Sequence, residues 1–311
     1  RVSGRAGSHG MAGTIVYTRS AAPAARSCRV RRHPLPGNRR AGPCCWKVLP
    51  LSESAVPPGA PQAAELDLPG RWLGSTPLLD LEDPRLRLRA RALTQLCKND
   101  REKALAVYGF VKRIPFGKPV KLRLRTPREV IDAGRGDATD KAAVLVALLR
   151  LVRIPARLRY LELRGDILRG LTSNVASAAR PMAEIWLNGQ WVRTDTYIFD
   201  AVYMAAARQR LKDNDWEWGY GIHRNGQAVW NGVDPAWLGG MPTDQDPMVL
   251  EDWGVFHDPL EFISSESYRA NHPRISRAMH WNMLAPLMDR VVRDLRDDVQ
   301  RPAAASVKKP S

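Results

Sequence analysis

The sequence predicts an α+β fold: a central, wholly apolar helix packed against an antiparallel sheet, with additional N- and C-terminal helices. Three observations predict it. Residues 142–149 are apolar on every side, between glycines at 134 and 136 and a stop at Pro155, which is the pattern of a buried core helix. Two apolar runs flank Asn188-Gly189, the strongest short-range hairpin signal. Helical spacing of apolar residues marks 83–97, 100–112 and 277–298 on either side.

Taken in order, the chain divides into a basic tail (1–50), a Pro-rich linker or arm (51–80), one domain (81–298) and a short tail (299–311). The net charge of +16 overstates the domain's basicity. Residues 1–50 hold nine Arg and one Lys without an acid, which leaves 38 basic and 32 acidic residues elsewhere, a net +6. No stripe of Lys and Arg with interleaved aromatics occurs in the body, so no nucleic-acid partner is expected for it. The tail is read as disordered or as an upstream translation artefact, ahead of a transit peptide or a basic arm for nucleic acid or anionic membrane. No apolar run of about 18 residues occurs, so no membrane span is expected. Cys28, Cys44 and Cys45 fall in the tail and Cys97 stands alone in the body. They form no disulfide framework and have no zinc spacing, and the default compartment is a reducing cytoplasm. No cofactor is expected.

Asp83-Pro84 starts the first helix, running to about Cys97 with Leu86, Ala90, Leu93 and Leu96 on its buried face. The arginines at 85, 87, 89 and 91 form a solvated face, with anion binding as the alternative. A second helix spans 100–112, with Ala104, Leu105, Tyr108 and Val111 at helical spacing. Thr126, Pro127 and Glu129 make a capping box for a short turn of helix. Gly134 and Gly136 then bend the chain, and the core helix starts near Thr139 or Asp140. Arg150 and Arg153 complement its C-terminal dipole.

Residues 156–163 alternate as a strand, with Leu158 and Tyr160 on one side and Arg157 and Arg159 on the other. Residues 164–179 are expected to be a mobile loop. The hairpin at 180–197 pairs Leu187 with Gln190 across its two-residue turn, which sets Asp195 opposite Met182 and brings Arg180 within diagonal reach. A helix spans 200–212. A second hairpin is expected at Asn225-Gly226, among Trp216, Trp218, Tyr220 and Trp230, which cover the sheet edge or, alternatively, line a groove. The last helix uses Met279, Trp281, Met283, Leu284, Leu287, Val291 and Leu295, with a kink or split at Pro286.

The run TPREVI…GRGDATDKAAVLVALLRLVRIPAR and the hairpin RPMAEIWLNGQWVRTDTY together resemble the core of transglutaminase-like proteins, which share a papain-like fold. Ile114-Pro115-Phe116-Gly117 resembles the family's segment ahead of the motif. The resemblance covers about 100–200, with 200–298 as a C-terminal extension. It implies a cysteine directly after Gly-Asp at the helix N-terminus, where the dipole favours a thiolate. It also implies a histidine on the first hairpin strand and an aspartate on the second. Here those positions hold Ala138, Arg180 and Asp195.

The acyl transfer implied by the family needs thiolate, imidazole and carboxylate together, so the expected function is that of a degenerate, catalytically inactive member. Its cleft is expected to bind a peptide or protein ligand, with Asp137, Glu184 and Trp191 as binding residues and no metal. Several alternatives stay open. Asp137, Asp140, Glu184 and Asp195 can serve acid–base work or hold a hard cation, with His223 or His257 as base. Ser173, Ser177 or Cys97 can act as a displaced nucleophile, or Ala138 can be an engineered substitution. The oligomeric state is open.

Overall fold

The structure, a computed structural model, describes residues 68–173, 175–271 and 282–300. The basic tail with Cys28, Cys44 and Cys45, most of the Pro-rich arm, Met279 and Trp281, and residues 301–311 lie outside the described residues. A 3-10 turn at Pro69–Leu73 leads to α1 (Pro84–Thr94), where Asp83 Oδ1 accepts from the amides of Arg85 and Leu86 at 2.8 and 3.0 Å. Leu86 and Ala90 are buried in α1 as predicted, but the helix ends at Thr94 and Leu96 is 87% exposed. The chain has already left the helix to form the Asn99 cap of α2 (Asp100–Arg113). Leu96→Ala is therefore expected to change the unfolding free energy by less than about 0.5 kcal/mol in a urea titration.

The capping box is formed at α3 (Pro127–Ala133): Glu129 N donates to Thr126 Oγ1 at 3.3 Å, and Thr126 N to Glu129 Oε2 at 2.9 Å. Gly134 follows at φ +65°, a left-handed cap that only glycine adopts freely. The next helix, α4 (Ala138–Leu151), begins earlier than predicted. Its cap is Asp137 rather than Thr139 or Asp140, because Asp140 at the third position completes a second capping box. Residues 142–149 are buried throughout and form the centre of the main core. Arg150 does more than face the dipole: buried at 2% exposure, it donates to the carbonyls of Ala156, Gly74 and His257.

The remaining elements are β1 (Ala156–Arg164), β2 (Ser177–Leu187), β3 (Gln190–Thr194), α5 (Ala201–Asp213), β4 (Trp218–Gly219), β5 (Ile222–His223), β6 (Val249–Phe256), α6 (Pro259–Ser264), α7 (Glu266–Asn271) and α8 (Ala285–Gln300). An antiparallel sheet has the order β3-β2-β1-β6. The β2–β3 hairpin has the predicted register, from Leu187 opposite Gln190 to Ala183 opposite Thr194. The sheet's core face, with Leu158, Tyr160, Ala183 and Ile185, packs with α4. On the other face, Arg157, Arg159 and Glu184 form an ionic group toward one end, while Leu161, Leu163 and Met182 join Ile167 in a second apolar cluster toward the other.

Four expectations need correction. Part of the expected loop at 164–179 is ordered structure: a 3-10 turn at Gly165–Leu168, then the first residues of β2. The small hairpin β4–β5 turns at Tyr220-Gly221, with φ +53° and +80°, not at Asn225-Gly226. Gly226 is needed for close approach instead, since a Cβ there would lie 1.9 Å from the Leu238 carbonyl oxygen. Trp230 is a core residue packed edge-on to Tyr108, not a cover for the sheet edge. The last helix is split at Pro286 as expected: residues 282–283 are helical, Leu284 bends the chain, and α8 restarts at Ala285 with Pro286 in its first turn, where its missing N–H costs nothing. The buried stripe there is Ala285, Met288, Val292 and Leu295, while Met283 and Leu287 are exposed. No helix among the described residues is long and apolar enough to cross a membrane.

Candidate functional site

The N-terminus of α4 and the first part of β2 border one cavity of about 220 Å³. Ala138 and Arg180 both line it, together with Asp137 and Thr139. The two positions that the sequence singled out, 42 residues apart in the chain, thus meet at the same space. Most of the remaining wall is apolar, from Leu163, Ile167, Leu171, Phe199, Phe262 and Met288 among others.

Asp195 does not line the cavity but lies behind Arg180. Arg180 Nη1 donates to Asp195 Oδ2 at 3.2 Å, and Nη2 donates to the Gly221 carbonyl. Asp195 Oδ1 accepts from Leu238 N at 2.8 Å. Burial pushes the Asp195 carboxyl above the usual range, and the Arg180 charge and the Leu238 N–H offset that only in part. The diagonal contact forms although the ladder stops at Thr194: Asp195 N turns away to the Ala236 carbonyl at 3.4 Å and does not pair with Met182. Arg180 and Asp195 are 9% and 1% exposed, so the guanidinium is held in place rather than free to swing.

Two lysines that the sequence reading did not single out complete the site. Lys118 and Lys121 lie on the segment between α2 and α3 and line the cavity beside the α4 N-terminus. Asp137 Oδ2 takes both ammonium groups, at 3.1 and 2.7 Å, while Lys121 also reaches Asp140 Oδ1 at 2.9 Å. Arg125 from the same segment pairs with Asp140 Oδ2. Burial alone would raise Asp137, but the two lysines and the helix amide hold its carboxyl well below the usual range. Asp140 is pushed up, first by burial and then by the neighbouring Asp137 charge. Burial opposes the charge on Lys121 as well, yet Asp137 and Asp140 raise it overall. The signal was available as Lys118-Pro-Val-Lys121 ahead of an acidic elbow, but charge pattern alone does not show that the segment folds back.

Glu184 and Trp191 are placed elsewhere, outside the cavity wall. Glu184 is 0% exposed and receives Nε of Arg157, Arg159 and Arg193 at 2.6, 2.7 and 2.9 Å. Burial would raise its carboxyl, but the three arginines bring it below the usual range. Trp191 packs edge-on to Trp72 and Trp186, with the Arg157 guanidinium 4.1 Å from its ring centre. These residues form a structural brace on the ionic face of the sheet.

The alternative catalytic groups are dispersed. His223 is buried against Trp218 and pairs with Glu217, and His257 packs on Trp72. Burial, with Arg150 and Arg71, lowers His257 to about 4. Neither imidazole lines the cavity. Ser177 does line it, but its hydroxyl donates to Glu162 Oε1, a weak base. Ser173 and Cys97 do not line it. Among the described residues no group of three or more His, Cys, Asp or Glu is placed to hold a metal ion. The carboxylates at the elbow already carry the ammonium and guanidinium groups of Lys118, Lys121 and Arg125.

Residues 87–196 match the family model described as the transglutaminase-like superfamily. A solved structure from Cytophaga hutchinsonii, described as that of a candidate cysteine protease, is similar over 44% of this chain and 43% of its own, at 19% identity and a TM-score of 0.34. The match thus spans less than half of that protein. Comparison with curated proteins finds no match. The matched segment contains the elbow, the core helix, the strand after it and the hairpin up to Asp195. The likeness to the transglutaminase-like superfamily therefore rests on residues 87–196.

Proposed function

We propose that this chain is a non-catalytic, transglutaminase-like binding protein, which keeps the cavity at the old reaction centre for a peptide or partner segment. One observation carries the proposal: the cavity is lined at the nucleophile position by the methyl group of Ala138 and at the proton-shuttle position by the guanidinium of Arg180. A methyl group cannot attack a carbonyl. A guanidinium remains protonated, and this one is tied to Asp195 and Gly221, so it neither takes nor returns a proton. The acid that should orient an imidazole instead neutralises an arginine. A free Cys97 suits the reducing cytoplasm that we assign to the protein.

Thiol alkylation and amide turnover test this reading. The unaltered chain is expected to hydrolyse and transamidate no amide. Ala138→Cys combined with Arg180→His is expected to give a thiol whose alkylation midpoint lies below the ordinary value of about 8.5, because the helix N-terminus, Lys118 and Lys121 all favour the thiolate. Turnover by the unaltered chain would sink the proposal. An inert thiol with an unshifted midpoint in the double variant would remove the inherited cleft from it.

A further inference from the structure

We infer that the cavity is a site for a small apolar monocarboxylate, a medium-chain fatty acid in chemical class, with its carboxylate at the α4 N-terminus. The inference rests on the non-catalytic reading above and goes further by assigning the ligand. Four observations on different residues converge on it.

The first is charge. The charged groups lining the cavity are three cations, Lys118, Lys121 and Arg180, and a single carboxylate, Asp137. Adding the layer behind, with Asp140 paired to Lys121 and Arg125, and Asp195 paired to Arg180, still leaves one positive charge unmatched. Asp137 is already engaged, since Oδ1 takes the Asp140 amide and Oδ2 takes both lysines. Lys118, with a side chain 26% exposed, is the cation best able to turn a further N–H toward a ligand.

The second is the helix terminus. The capping box uses the amides of Asp137 and Asp140. The amides of Ala138 and Thr139, the first two of the helix, have no acceptor among the described residues, and both residues line the cavity. Unpaired N–H groups at a helix start favour an anion.

The third is independent of both. Tyr160 lines the same cavity, is 1% exposed, and its hydroxyl has no hydrogen-bond partner among the described residues. A buried hydroxyl without a partner is rare in a finished fold, and a ligand oxygen would supply one.

The fourth is the wall. Away from the charged end the lining is aliphatic and aromatic, as with Leu163, Leu171, Phe199 and Met288. A volume of about 220 Å³ is smaller than the roughly 300–1,000 Å³ of drug-sized sites. It suits a single short chain better than a membrane lipid. A bare alcohol would leave the positive end unmatched, and an amine would oppose it.

Titration calorimetry of the full chain with octanoate, octan-1-ol and octylamine tests the assignment. Octanoate is expected to bind saturably, about tenfold or more tighter than octan-1-ol, the factor that a charge-assisted hydrogen bond supplies. Octylamine is expected not to bind. In amide NMR spectra, the signals of Ala138 and Thr139 should shift with octanoate. Lys118→Met, at a partly exposed side chain, should weaken binding severalfold, and Leu171→Trp should abolish it by filling the cavity. Where Leu171→Trp does not fold, the amide shifts carry the location.

Equal affinity for octanoate and octan-1-ol overturns the inference, as does absence of octanoate binding or binding that leaves the Ala138 and Thr139 signals unmoved. Failure here leaves the non-catalytic reading standing. Amide turnover by the unaltered chain would overturn that reading and would be seen in a separate assay.

Discussion

Replacing Glu184 with alanine is expected to lower the unfolding free energy by about 3–5 kcal/mol, the range for stripping one partner from a buried ion pair. The reason lies in the three Nε groups that converge on one carboxylate of 0% exposure. Arg193, 39% exposed at the side chain, can turn to water, and Arg159 keeps Asp252 at 2.7 Å. Arg157, 5% exposed and with its guanidinium 4.1 Å from the Trp191 ring centre, loses the Glu184 carboxylate at a buried position. Urea titration checks the value, and a loss under about 1 kcal/mol would show that the brace relaxes freely. The pH dependence follows from the lowered carboxyl of Glu184. A group depressed in the fold contributes stability that is present above its unfolded value and lost as the pH falls through its folded one. The gap between wild type and Glu184→Ala should therefore close as the pH falls below the ordinary glutamate range. Because Glu184 does not line the cavity, ligand affinity of the folded variant should stay unchanged.

Arg180→Met is the second large effect, again about 3–5 kcal/mol near neutral pH. It removes the charge facing Asp195 and the donor to the Gly221 carbonyl. Its deficit also narrows on acidification, as that of Glu184→Ala does, but through a carboxyl that is raised in the fold rather than lowered. Asp195 is raised by burial even with Arg180 present, and the loss of the guanidinium raises it further. An acid raised in the fold is favoured in its protonated form, so its contribution is present at low pH and lost as the pH rises through the folded value. Arg180→Met should accordingly lose most stability at higher pH and recover part of it on acidification. Adding Asp195→Asn to Arg180→Met should restore part of the loss, through a coupling of about 0.5–3 kcal/mol between neighbouring sites. Strictly additive single and double variants would mean that the 3.2 Å pair contributes nothing.

Local chemistry made much of this fold legible. Thr126 and Glu129 each carry half of a capping box, and Asn188-Gly189 fixes a two-residue turn and hence a register of five residue pairs. The unbroken apolar run in α4 identifies the core helix without reference to anything outside it. What failed locally did so for local reasons as well. Asp137, Thr139 and Asp140 are all acceptable caps, and only the reciprocal bond between Asp137 and Asp140 separates them. The strand β6 is not legible in the sequence because its acids and Gly254 reflect a partly exposed edge that pairs with β1 through two register shifts.

The sequence by itself determined that a methyl group stands at position 138 and a guanidinium at position 180, wherever the two lie in the fold. It also determined the hairpin geometry that lets Arg180 reach Asp195. Only the tertiary structure decided that Glu184 and Trp191 brace the sheet while Lys118 and Lys121 line the cavity. The physical reason is range. Caps and turns are set by bonds spanning a few residues, whereas a lysine's partner 19 residues away, or Glu184's arginine 27 residues away, depends on how the whole chain closes.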